Sequence, residues 1–151
     1  MNKKILLNFI FPLTIIIFIL FTKWWIVDVI DGTDGIMYGF PFIYKSPNFG
    51  TSMAENYFIT ELVIDFGIYF GIVTAIIYLT NKFLFKFEFK KIISILLFIS
   101  ASILTSLELF LVFWPDNQIL LKRDDEIIVK ETGLKFYFNE NERNNFDKYH
   151  K

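Results

Sequence analysis

The sequence predicts an all-α membrane protein: three transmembrane helices, with a small β-meander in the C-terminal tail. Three observations carry this expectation. Hydrophobic residues make up 54% of the 151-residue chain, and mean hydropathy is +0.47, above what a soluble domain of this size shows. Three long apolar stretches, at about residues 5–25, 58–80 and 92–114, recur along it. Each is close to the roughly 20 residues that a helix, rising about 1.5 Å per residue, needs to cross a hydrocarbon layer of about 30 Å. Strand-like runs, by contrast, gather near the end, as QILLKR, EIIVKE and LKFYFN. The expected organisation is a transmembrane domain over residues 1–114, then a polar extracytoplasmic tail over 115–151.

Composition narrows the chemistry. The net charge is -1, which supplies no strong field for nucleic acid, and no nucleic-acid motif is present. Cysteine is absent and His150 is the only histidine. Disulfides, thiol chemistry, S-lipidation of this chain and metal sites needing two histidines are therefore excluded. No cofactor is expected. Abundant Ile, Phe, Lys and Asn with little Ala, Gly and Pro points to an AT-rich bacterial genome.

The first stretch begins with the basic Lys3 and Lys4. Residues 5–22 then carry no charge. A signal peptide has the same opening, but this run is too long for one, and bulky KWWIVDVI follows where a small-residue cleavage site would stand. An uncleaved helix, mildly kinked near Pro12, is the reading adopted. Lys23, Trp24 and Trp25 resemble an anchor at the headgroup level.

Residues 28–57 form the expected outer loop. Asp28, Asp31 and Asp34 stand beside Gly32 and Gly35. Their spacing does not match an EF-hand, so a solvated acidic turn is favoured over a calcium site. The aromatic run YGFPFIY, 38–44, is too short to cross and contains Pro41, so it is expected to lie along the interface. Thr51 or Ser52 is the expected cap of the second helix. Residues 81–91, NKFLFKFEFKK, form the expected inner loop, with Lys82, Lys86, Lys90 and Lys91 against Glu88; such lysines also favour anionic lipid. The third stretch ends at Pro115-Asp116-Asn117. In the tail, Asp124-Asp125 and Thr132-Gly133 are the expected turns of the meander.

Lysine placement predicts the threading. Lys3, Lys4, Lys82, Lys86, Lys90 and Lys91 would lie inside a bacterial cytoplasmic membrane, which sets the N-terminus in the cytoplasm and the tail outside.

Acids inside a span are the informative residues. Asp65 on the second helix and Glu108 on the third would reach a similar depth from opposite directions. Phe58, Glu61, Asp65, Ile72 and Ile76 fall near one line, while Ser94, Ala101, Thr105 and Glu108 share a stripe. Facing stripes would make Asp65 and Glu108 an intramembrane pair, with Glu61 nearer the interface as a secondary candidate. Two readings stay open: a proton or cation path, or a structural pair satisfied by hydrogen bonds, by Lys23 or by a partner's basic residue. Gly67-x-x-x-Gly71 is a small-residue spacing suited to close helix packing, here within the chain.

Enzyme signatures are absent: the sequence holds no His-Glu-x-x-His, Gly-x-Ser-x-Gly or P-loop. Gly39-Phe40-Pro41-Phe42, then Thr51-Ser52, then Glu61-Leu62 and Asp65 at a span entry resembles small uncharacterised bacterial multi-pass membrane proteins. The resemblance covers residues 39–69. It implies that the loop and the start of the second helix form one unit, and it brings no activity. The expectation is a structural or accessory membrane subunit, with an oligomeric conductor and an outer-face binding module as alternatives. Its partners are the lipid bilayer and a homo-oligomer or larger membrane complex.

Overall fold

Helix gives way to strand earlier than apolar length suggests. In a computed structural model, which describes residues 5–30, 34–48, 50–51, 53–83, 91–136 and 146, the first helix, α1 (Leu6–Leu20), passes directly into β1 (Phe21–Val29). The handover falls where the sequence turns β-branched and aromatic, in FTKWWIVDV, side chains that suit a pleated, half-buried surface. Lys23, Trp24 and Trp25 are thus strand residues.

Five more strands follow: β2 (Gly35–Tyr38), β3 (Lys45–Pro47), β4 (Glu55–Phe58), β5 (Gln118–Leu120) and β6 (Ile127–Phe136). Together they form one mixed sheet in the order β5-β4-β3-β2-β1-β6, antiparallel except where β4 meets β5. The chain is therefore not all-α. What reads as an outer loop supplies two whole strands, β2 and β3, with most of β4 and the end of β1, and the two described strands of the tail do not pair with each other. Its two strands join opposite edges, β5 against β4 and β6 against β1.

The expected turn at Thr132-Gly133 lies inside β6, where Trp24 pairs with Gly133. The Trp24 indole occupies the space a Cβ at residue 133 would need. Glycine at that position answers a packing demand, not a turn. A register shift between Ile26 and Val27 bulges the β1–β6 ladder. Nearby, Lys130 pairs with Asp28, and this carboxylate raises the Lys130 pKa above its ordinary value. The sheet core is Val27, Val29, Met37 and Ile43, with Trp25 and Ile127 packed against it.

Among the described residues two helices are long and apolar enough to cross a membrane, α2 (Ile59–Phe83) and α3 (Lys91–Val112). At 15 residues, α1 extends about 22 Å, short of a hydrocarbon layer of about 30 Å. Helix α2 follows β4 without a loop, so Thr51, which lies before β4, does not cap it; Ser52 is outside the described residues.

The chain divides into two compact units. One comprises Leu20–Asp65 and Phe110–Lys151 and contains the sheet. The other comprises Met1–Ile19 and Phe66–Leu109. In this helical unit Phe18 meets Phe66 and Tyr69 edge-on at 5.6 and 5.3 Å. Pro12 has no N–H for the Asn8 carbonyl four residues back, and the residues just before it, Leu6–Ile10, wind as a π-helix. The Ser94 hydroxyl donates to that carbonyl at 2.6 Å. Three residues of the expected stripe on the third helix lie against α1. Ser94 meets α1, and Ala101 and Thr105 line a groove of about 310 Å³ with Phe11, Pro12 and Ile15.

Gly133→Ala is expected to lower sheet stability by about 1–3 kcal/mol, the usual cost of overpacking. Denaturation of purified protein in detergent, followed by tryptophan fluorescence, would measure it. Gly67→Ala, which meets nothing, should stay within about 0.5 kcal/mol. Equal midpoints for the two would contradict the Trp24–Gly133 packing.

Candidate functional site

Asp65 lies six residues beyond the first residue of α2, about 9 Å along the helix axis. It is fully buried. Both of its carboxylate oxygens accept backbone hydrogen bonds. The Phe40 N–H donates to Oδ2 at 2.8 Å, and the Phe42 N–H donates to Oδ1 at 3.0 Å. Hydrogen bonds to an ionised acceptor are stronger than neutral ones, so this carboxylate pins a turn to a helix across more than twenty residues of sequence.

The gripped segment connects β2 to β3. Its Phe40–Pro41 peptide is cis, and Gly39 has φ +148. A Cβ at Gly39 would collide with the Phe42 carbonyl, so only glycine fits there. The Gly39 N–H donates to the Lys23 carbonyl at 3.0 Å, and the Tyr44 N–H to the Tyr38 carbonyl at 3.0 Å. Pro41 has no N–H. The Gly39 carbonyl accepts from Trp25 Nε1 at 2.8 Å. Lys23 rests its ammonium over the Trp25 ring, 3.7 Å from the centroid. The lysine considered as a counterion for the acids therefore steadies the indole that ties down the turn.

Glu61, one turn before Asp65, meets the link between β5 and β6. Its Oε1 accepts from the Arg123 N–H at 3.3 Å, and Oε2 is buried with no partner among the described residues. Beside it, the N–H and hydroxyl of Thr60 both donate to the Leu121 carbonyl, at 3.0 and 2.7 Å. Arg123 points its guanidinium to the Asp125 carbonyl at 2.8 Å. Asp65 and Glu61 thus secure two different loops of the sheet unit to the first two turns of α2.

The other candidates are placed differently. Glu108 is half-buried on α3. Gly67 and Gly71 are exposed, with nothing within 4 Å of a Cβ built at either. Among the described residues no close helix approach is made at them. The buried line on α2 runs Asp65, Tyr69, Val73, while Ile72 and Ile76 are exposed. That face follows a four-residue repeat, and the seven-residue step from Asp65 to Ile72 leaves it.

Asp28 is paired with Lys130, and Asp31 is outside the described residues, as are Lys86, Lys90 and most of 137–151. Among the described residues no group of three or more His, Asp or Glu could hold a metal ion. The main-chain donors of Phe40 and Phe42 escape sequence reasoning. The one hint is the pairing of a conformationally special Gly-x-Pro turn with an acid inside a long apolar helix.

No family model, curated protein or solved structure matches the chain.

Asp65→Ala removes two bonds to a charged acceptor and is expected to cost about 2–4 kcal/mol, with Asp65→Asn, whose single carbonyl keeps one bond, near half of that. Thermal unfolding of both variants in the same detergent would show it. Equal stability of Ala and wild type would rule out the grip.

Proposed function

We propose that this chain is a small integral protein of a bacterial cytoplasmic membrane. Helices α2 and α3 cross the bilayer, and the six-stranded sheet is displayed on the outer face as a structural or accessory subunit. The observation that carries this reading is connectivity. Helix α2 leaves the sheet at β4 and α3 returns to it at β5, so two crossings bring the chain back to the face it left. The stretch that joins their ends holds Lys82, Lys86, Lys90 and Lys91 within ten residues, the signature of a cytoplasmic connection.

The surfaces of α2 and α3 agree with immersion in lipid. Val63, Ile64, Ile72, Ile76 and Leu79 on α2, and Ile92, Leu96, Ile99, Ile103 and Leu107 on α3, are all exposed. An apolar patch of that extent is not left to water. The sheet side carries Lys122 and Arg123, but also Asp116, Asp124, Asp125 and Glu126.

A scaffold role follows better than conduction. Both oxygens of Asp65 already hold main-chain donors, which gives that acid a structural task. A reporter inserted at Glu88 should be active only in the cytoplasm, and one fused after Lys151 only outside. The same compartment for both would refute two crossings. Native mass after gentle extraction from the source membrane should exceed that of one 17.9 kDa chain with other polypeptides present. A single-chain species would contradict the subunit role.

A further inference from the structure

We infer that the Phe40–Pro41–Phe42 turn is a lipid-contacting wedge, set below the outer surface of the bilayer and held there by Asp65. The inference rests on α2 being a membrane span.

Depth comes first. Helix α2 has 25 residues and is about 37 Å long, so a hydrocarbon layer of about 30 Å centred on it leaves about 4 Å outside at each end. Asp65, about 9 Å from the start, then lies about 5 Å inside the layer. Direct hydrogen bonds of 2.8 and 3.0 Å hold the Phe40 and Phe42 main chain to that carboxylate. The turn shares its depth.

Irregular backbone at that depth is tolerated only when its polar groups are satisfied by protein. Here they are. The N–H groups of Gly39, Phe40, Phe42 and Tyr44 all have acceptors. Pro41 has none to satisfy, and the Gly39 carbonyl receives Trp25 Nε1. Side chains show the opposite order. Asp65 is fully buried, while Phe40 and Phe42 are 38% and 49% exposed. A buried carboxylate with N–H groups turned in to it and phenyl rings turned out is an arrangement that suits a hydrocarbon surround. The occupant of this surface is therefore the acyl region of the outer leaflet.

Because the native chain has no cysteine, nitroxide labels can be placed singly on the full-length protein. Phe42→Cys and, separately, Phe40→Cys test the wedge. Ile76→Cys reports mid-span, and Thr51→Cys reports the β3–β4 turn. In vesicles of phosphatidylethanolamine and phosphatidylglycerol, relaxation by oxygen, which concentrates in lipid, is compared with relaxation by a water-soluble nickel chelate. Labels at 40, 42 and 76 should favour oxygen, and the label at 51 should favour nickel. Residues 40 and 42 behaving like 51, or shielded from both reagents, would overturn the wedge while 76 still reports a span. Nickel access at 76 as well would overturn the span and the wedge together.

Discussion

Two main-chain N–H groups, those of Phe40 and Phe42, end on one carboxylate, and much of the sheet unit depends on that. The turn they belong to sets the direction in which the chain leaves β2 and enters β3. Tyr38 pairs with Lys45 across it, and β3 in turn positions β4, whose last residue Phe58 is followed directly by α2. Asp65 on α2 then closes a ring: strand, turn, strand, strand, helix, and back to the turn through its side chain. A second tie beside it, Glu61 to the Arg123 N–H, closes a similar ring through β5. Closing long loops in this way is worth most where the segments joined are far apart in sequence.

An acid within an apolar helix demands an explanation, because an isolated charge there is expensive. Burial against a carboxylate with two donors supplies one without invoking transport. The donors come from a turn that has few alternatives for them. Gly39, with φ +148, and Pro41 shape a backbone in which both N–H groups point the same way, and no strand neighbour is available to either. Carboxylate and turn each lack a partner without the other. That reciprocity also explains why Trp25 and Lys23 stack behind the turn, one donating to the Gly39 carbonyl and the other lying over the indole.

How much of this was legible in the sequence depends on the range over which each feature is decided. Apolar length located α2 and α3 closely, 58–80 against Ile59–Phe83 and 92–114 against Lys91–Val112, because a helix is a local structure. The same criterion overran α1, since KWWIV is as apolar as a helix end but β-branched and aromatic. Periodicity found the strands near 119–136 yet mistook how they pair. Gly133 reads as a turn signal locally, and only the Trp24 ring, more than a hundred residues away, shows that it is a packing site. Asp65 stands out in the sequence as an acid in an apolar stretch, but its partners are backbone groups, which every residue carries and no sequence pattern advertises. The helical line through Ile72 and Ile76 misses the inward face, which Tyr69 and Val73 occupy.

The account stands on the Asp65 carboxylate holding the Phe40 and Phe42 N–H groups. Residue-resolved amide hydrogen exchange of the full chain in lipid nanodiscs tests that most directly, read at these two amides in wild type and in Asp65→Ala. Strong protection in wild type, lost at both amides in the variant while Met37 in β2 stays protected, is the predicted result. Exchange at Phe40 and Phe42 that is fast in wild type, or unchanged by the substitution, would contradict it.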